Sequence, residues 1–259
     1  MVDPIATPAA VVLASSWFAN KLLGPAADTA GQALGSYVNS RIGKIFKRAE
    51  QIATPEQVGD LPIGFVALAV QKASFSEDSE LLTDMWARLL VDASQSLTHR
   101  HSLFADILSQ IGTEGARLLN DIWSRSGRSR IVGGNVALNE QLYARFRDTL
   151  NWAELNEESA MAHANALLRV NVGWPVWATR ASYTFRKPGP NPAATGTSRV
   201  QGPDLDLFVV DSLAREKLVE QFSFDFQPGW ASPQLSGVYM TMMGVEFIIA
   251  CSAPESEQT

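Results

Sequence analysis

Apolar residues recur at intervals of three and four over the first two thirds of the chain, which is the spacing of amphipathic α-helices. A first helix is predicted over residues 8–23, and Gly24 ends it. Pro25 lies in the first turn of a second predicted helix over residues 25–47. The same spacing predicts further helices over residues 63–70, 81–90, 103–111, 114–123, 139–150 and 157–168.

The second predicted helix has an unusual number of small residues on its apolar face. A glycine inside a helix costs about 0.5 to 1 kcal/mol relative to alanine, so several of them imply the close approach of another backbone. We therefore predict a helix-packing or oligomerisation strip, whose members are Ala27, Gly31, Gly35, Val38 and Ile42.

The strip has two interpretations. In the first, it packs against the rest of a soluble domain. In the second, it joins helices in a bilayer or between protomers, since small residues allow such close packing without a hydrophobic drive. The uncharged residues 4–20 would then lie on or enter the membrane, although they are too short and too rich in Ala, Ser and Thr for a typical spanning helix of roughly 20 apolar residues.

Beyond Gly173 the pattern changes to the alternation that is typical of β-strands. Residues 174–185 form the first predicted strand, and the segment KPGPNPAATGTSRVQGP that follows is predicted to be a loop. The remaining predicted elements are strands at 205–210 and 222–226, a short helix at 213–220, and a segment at 238–240 that leads into a last helix ending near Cys251.

These elements predict a mainly α fold with a C-terminal α+β portion. The predicted regions are glycine- and alanine-rich helices at 1–53, a helical core at 54–111, an α+β domain at 112–254 and a frayed tail at 255–259. In the α+β domain, three helices, strands and a closing helix follow one another in a winged-helix-like order with a long insert.

Charge and cysteine content restrict the partners. The formal charge of −6 disfavours non-specific binding to nucleic acid, and the basic cluster of Arg125, Arg128 and Arg130 is interpreted as a solvated loop. The single cysteine cannot form an internal disulfide, and no basic segment of a secretion signal begins the chain. A single cysteine suits a reducing compartment, so we expect a cytoplasmic protein.

The titratable side chains do not suggest a catalytic site. His99 and His101 are interpreted as an exposed turn, and Glu77, Asp78 and Glu80 as the capped first turn of a helix. Cys251, Trp86 and Trp123 are expected in the core. We therefore predict no catalytic, metal-binding or cofactor-binding residues, and a protein that is not an enzyme.

Four segments, in order, resemble the blocks of the Abi-alpha (abortive infection alpha) family of prokaryotic proteins. They are LGPAADTAGQALG, ASFSEDSELLTDMWARLLVDAS, IGTEGARLLNDIW and VYMTMMGVEFIIACSAP. The pattern Thr241-x-x-Gly244-x-x-Phe247 resembles the end of the family motif, whereas Met242 and Met243 and the insert at 184–233 depart from it. The resemblance implies a role in defence against bacteriophage, in which the infected cell stops growing or dies before phage release. It implies a phage component or a second copy of the chain as the protein partner, a location at most peripheral to the inner membrane, and no catalytic residues.

Overall fold

The computed structural model describes residues 17–18, 21, 40–125, 176–186, 195–201, 205–225 and 234–252. Two compact units divide the chain: a first unit of Met1–Arg117 with Glu246–Thr259, and a second unit of Leu118–Val245. The helices predicted at 139–150 and 157–168, the basic residues Arg128 and Arg130, and the tail at 255–259 lie outside the described residues.

Helices make up the described part of the first unit, as the apolar spacing predicts. They are α1 (Ser40–Ile52), α2 (Ile63–Phe75), α3 (Glu80–Gln95), α4 (His99–Leu108) and α5 (Gly112–Arg125), which continues past the boundary between the units. Ser79 begins α3, because its hydroxyl accepts a hydrogen bond from the backbone N–H of Leu82 at 3.2 Å. The helices predicted at 63–70, 81–90, 103–111 and 114–123 are thereby confirmed, with shifted ends.

The core of the first unit forms where α1 packs on α3 and where α2 packs on α4. Trp86 of α3 is completely buried, as predicted, and so is Phe18, whose ring centroid lies 6.1 Å from that of Phe46 on α1. Phe247 completes this core and meets Phe104 of α4 edge to face, with 5.6 Å between the ring centroids.

The second unit contains a four-stranded antiparallel sheet in the order β2-β1-β4-β3. Its strands are β1 (Val176–Arg186), β2 (Thr195–Gln201), β3 (Val219–Asp225) and β4 (Gln234–Met240). Helix α6 (Leu207–Arg215) precedes β3. Helix α7 (Met242–Cys251) follows β4 and continues past the boundary into the residues of the first unit. The strands predicted at 174–185 and 222–226 and the helix ending at Cys251 are confirmed.

Three predictions for this unit are wrong. Residues 205–210 are not a strand but enter α6, because the Asp206 side chain accepts the N–H of Phe208 at 2.8 Å and so caps a helix. The helix predicted at 213–220 ends at Arg215, and the positive φ of 59° at Lys217 turns the chain into β3. Strand β2 lies within the predicted loop, because pairing with β1 supplies its hydrogen bonds.

The junction between β4 and α7 explains why a threonine and a glycine are spaced three apart. The Thr241 hydroxyl accepts the N–H of Gly244 at 3.0 Å and donates to the carbonyl oxygen of Lys217. A Cβ on Gly244 would lie 2.1 Å from the carbonyl oxygen of Leu218. Only glycine therefore allows these two backbone segments to approach so closely.

Candidate functional site

The strip predicted from the sequence lies largely outside the described residues. Ala27, Gly31, Gly35 and Val38 are not among them, and Ile42 alone is described. Ile42 is buried in the helical core of the first unit, next in sequence to the buried Arg41. The described residues instead place a cluster of charges along the opposite face of α1.

A cleft of about 640 Å³ lies between α1 and the beginning of α3. It is lined by Lys44, Arg48, Gln51, Asp78, Glu80, Leu81, Thr83 and Asp84. Cations from one helix thus face carboxylates from the other, and Gln51 and Thr83 add polar side chains to the lining. This mixture can hold a polar ligand or a protein segment that carries both signs of charge, whereas its three carboxylates repel phosphate.

Ion pairs cross the cleft and tie α1 to α3. Lys44 Nζ lies 2.9 Å from an oxygen of Asp78, and Arg48 Nε lies 2.5 Å from one oxygen of Asp84. The other oxygen of Asp84 accepts from Arg88 Nε at 2.8 Å, and Arg88 is buried. Because water screens the Lys44–Asp78 pair, we expect the Asp84 pairs to contribute more to the stability of this contact.

A buried arginine lies close to the cleft. Arg41 on α1 donates to the backbone oxygen of Ser76 and, at 2.8 Å, to its hydroxyl, which also accepts from Trp86 Nε1 at 3.0 Å. Burial lowers the pKa of Arg41, and the nearby Asp78 carboxylate opposes this shift. Guanidinium groups stay charged in proteins, so these hydrogen bonds fix a positive charge beneath the start of α3.

The acidic residues before α3 have different partners from those predicted. Ser79 caps α3, and of the three acids only Glu80 lies in its first turn. Glu77 instead accepts the N–H of Thr113 at 2.8 Å, in the first turn of α5. Hydrogen bonds from Thr113 lower the pKa of Glu77, and the hydrogen bond from Lys44 lowers that of Asp78. Glu77 thus stabilises the N-terminus of a different helix.

We expect Glu77→Gln to lower the free energy of unfolding by about 0.5 kcal/mol at neutral pH, because an amide is a weaker acceptor at a helix N-terminus and water screens this exposed site. The folded-state pKa of Glu77 lies below its unfolded value. The ionised form therefore stabilises the fold above the unfolded pKa, and this contribution is lost as the pH falls through the folded pKa. Urea denaturation at several pH values measures the difference.

Asp121→Asn is the matched control, since it removes the same charge from an exposed position of α5. Its effect on unfolding should be smaller than that of Glu77→Gln. Equal effects of the two variants at neutral pH would contradict a capping role for Glu77.

The prediction of an exposed turn at the two histidines is wrong. His99 is exposed but begins α4, and His101 is buried with 4 % of its surface accessible. His101 Nδ1 accepts the N–H of Thr98 at 2.9 Å, so Nε2 carries the proton and donates to Asp92 at 2.9 Å. The imidazole therefore takes the place of Glu or Gln in a capping box.

The thiol of Cys251 is buried, as predicted. Burial raises its pKa well above the usual value, and the negative charge of Asp92 adds to the shift. A thiol that is protonated and inaccessible is a poor nucleophile. Within the described ranges no group of three or more His, Cys, Asp or Glu side chains is arranged to hold a metal ion.

The family model for abortive infection alpha matches residues 38–171, just over half of the 259 residues. The chain belongs to the abortive infection alpha family. No curated protein and no solved structure matches the chain. The matched range contains α1 to α5 and therefore the whole cleft of this abortive infection alpha protein.

Two of the four segments that resemble the abortive infection alpha family, at 73–94 and 111–123, lie inside the matched range. The first of them contains Ser76, Trp86 and the acidic residues Asp78, Glu80 and Asp84 of the cleft. Family membership suggests a role in abortive infection. Among the helices in the described ranges, none is both long and apolar enough to cross a bilayer.

The cleft is not evident as a site from the amino-acid sequence. Lys44 and Arg48 come from α1, and their partners Asp78 and Asp84 lie more than thirty residues later in the chain. One local signal was available, since Asp84 and Arg88 stand four residues apart and can pair on one helix face. The pairing between the two helices depends on the tertiary fold.

Proposed function

We propose that this abortive infection alpha protein acts in phage defence without catalysing a reaction, through contacts with protein partners and membrane association of its N-terminal helices. The observation that carries the proposal is the family match over residues 38–171. The partner is a phage component or a second copy of the chain. A soluble adaptor or regulator is the second candidate, and nucleic acid is disfavoured as its ligand by the net charge of −6.

The use made of the reactive side chains supports a role without catalysis. His101 is engaged in a helix cap, and Glu77 holds the start of α5. Cys251 is enclosed in the core as a neutral thiol. His101 and Cys251 are buried, whereas a catalytic group must reach its substrate. Glu77 is exposed, and its carboxylate is engaged by the N–H of Thr113.

Contacts near the N-terminus bear on the membrane part of the proposal. Phe18 is completely buried and packs on Phe46, and its N–H donates to Glu50 Oε1 at 3.2 Å. Membrane association of this segment would therefore begin with its separation from α1, which removes Phe18 from the core and loses the free energy of its burial. Protein contacts require no such separation, which favours them as the first step.

The winged-helix-like arrangement of residues 112–254 and its long insert stay a prediction within this proposal. The antiparallel sheet and the closing helix α7 are compatible with it. In this proposal the arrangement is a scaffold for protein contacts, since a fold of this kind serves several functions.

Infection of a susceptible bacterial culture that expresses the protein tests the proposal. At low phage multiplicity the culture should survive, and at high multiplicity it should collapse without releasing phage. The double variant Gly31→Leu, Gly35→Leu adds bulk to the predicted strip and should abolish this behaviour. Separation of membrane and soluble fractions before and after infection measures the membrane part.

Gly64→Leu is the matched control, because it adds the same apolar side chain to an exposed helical glycine of α2 whose Cβ would have no atom within 4 Å. It should protect as the native protein does. A culture that shows no protection against any phage of a broad panel would count against the proposed function. If the culture is protected while all of the protein stays in the soluble fraction, membrane association is rejected and the soluble adaptor is the function that remains.

A further inference from the structure

Helix α6 exposes two large apolar side chains beside each other. Leu207 is 69 % exposed and Phe208 is 89 % exposed, while Val210 and Leu213 of the same helix are buried. Phenylalanine is usually found in the interior, and an isolated apolar residue on a surface needs no explanation. Two adjacent apolar side chains, each with more than two thirds of its surface accessible, offer a partner protein an apolar contact.

The start of the helix fixes the direction of this apolar pair. Asp206 accepts the N–H of Phe208, so α6 begins at Leu207 and its residues follow at about 100° intervals. Val210 and Leu213 then lie on one side, where α6 packs on β3. Leu207 and Phe208 lie on the other side, and turning them inward would expose that buried pair.

The charges around the apolar pair indicate the chemistry of its partner. Asp206 precedes the pair and Asp211 follows it by one turn on the same helix face, and both are exposed. Arg215, one turn further, is the nearest cation on that face. An anionic bilayer surface would repel the two carboxylates, so a lipid surface is a poor fit. A protein pocket with an apolar floor and basic side chains at its rim is complementary.

We propose that Leu207 and Phe208 insert into an apolar pocket of a protein partner whose rim presents Lys or Arg to Asp206 and Asp211. The inference rests on the proposed function and names the surface through which its protein contact is made. Aromatic side chains that are fully covered on binding commonly dominate the affinity of an interface. Phe208 has the larger exposed surface and is the main anchor.

Photocrosslinking in infected cells tests this inference. A photoreactive phenylalanine analogue at position 208 should attach to one protein partner, and the same analogue at position 75 should not, although Phe75 is 71 % exposed in the first unit. The captured protein is then purified and its affinity is measured. The double variant Leu207→Ser, Phe208→Ser should weaken binding by about 30-fold or more.

Two further variants separate the apolar and charged contributions. Asp211→Lys should weaken binding by a smaller factor and reduce its dependence on salt, because it removes an attraction to the basic rim. Phe75→Ser should bind as the native protein does. The double variant and Phe75→Ser should keep the native melting temperature, since the substituted side chains are exposed. Asp211→Lys also loses the exposed hydrogen bond that Gln221 of β3 donates at 3.3 Å, so its melting temperature should fall only slightly.

Three results would overturn the inference. They are native affinity in the double variant, adducts at position 208 that contain only lipid or a second copy of this chain, and equal crosslinking from positions 208 and 75. The adducts form whether or not the cells are protected. An absence of phage protection with a specific adduct at position 208 would therefore reject the proposed function and keep the docking surface.

Discussion

Replacement of Trp86 by alanine is expected to lower the free energy of unfolding of the first unit by about 3 to 5 kcal/mol. Trp86 is completely buried, so its removal leaves a cavity in the core. The loss of its indole N–H also removes one of the hydrogen bonds to the Ser76 hydroxyl, which then relies on Arg41. Urea denaturation followed by circular dichroism measures the change.

Trp86→Phe separates packing from hydrogen bonding in this prediction. It keeps an aromatic ring in the core and removes the donor to Ser76, so we expect a loss of about 1 to 2 kcal/mol. A loss below about 1 kcal/mol for Trp86→Ala would contradict the central position of this side chain, because truncation of a buried tryptophan normally lowers the free energy of unfolding by about 3 to 5 kcal/mol.

Replacement of Gly244 by alanine is expected to lower the stability of the second unit by about 3 kcal/mol. The new Cβ would lie 2.1 Å from the carbonyl oxygen of Leu218 and 2.9 Å from its carbonyl carbon. Both are backbone atoms, so the junction of β4 and α7 has to move away from the segment before β3. Faster amide hydrogen exchange in β3 and β4 would report this movement.

Gly64→Ala provides the comparison for this effect. Gly64 lies in the first turn of α2, and no atom lies within 4 Å of the position of its Cβ. Alanine should therefore leave stability unchanged or raise it by up to about 0.5 kcal/mol, through its higher helix propensity. Similar losses from both substitutions would show that the close approach at Leu218 does not explain the glycine.

The helices were predictable where burial and periodicity agree. Leu82, Met85, Trp86 and Leu89 follow the spacing of a single helix face, and all are buried in α3. The run of apolar residues from Leu207 to Val210 is compatible with either a strand or a helix. The hydrogen bond that the Phe208 N–H donates to the Asp206 carboxylate favours the helix over the strand, because an N-cap stabilises only a helix.

The charged cleft could not be predicted to the same extent. Its ion pairs join residues that are 34 and 36 positions apart, and Glu77 reaches Thr113 over 36 positions. Sequence spacing does not report such distances, because they depend on how helices pack. The cap at His101 was accessible in principle, since Thr98 stands three residues before a side chain that can accept a hydrogen bond.

The first unit is built from two distant parts of the chain, with residues 118–245 between them. Phe247, Ile248 and Cys251 are completely buried, so its core stays incomplete until they have been synthesised. At ribosomal rates of about 5 to 20 residues per second, the helices from α1 to α4 wait on the order of 10 s for their last core residues. Termination within residues 118–245 would therefore release chains that lack this part of the core. Folding of the first unit is thereby coupled to synthesis of the second, and an interrupted message yields no complete first unit.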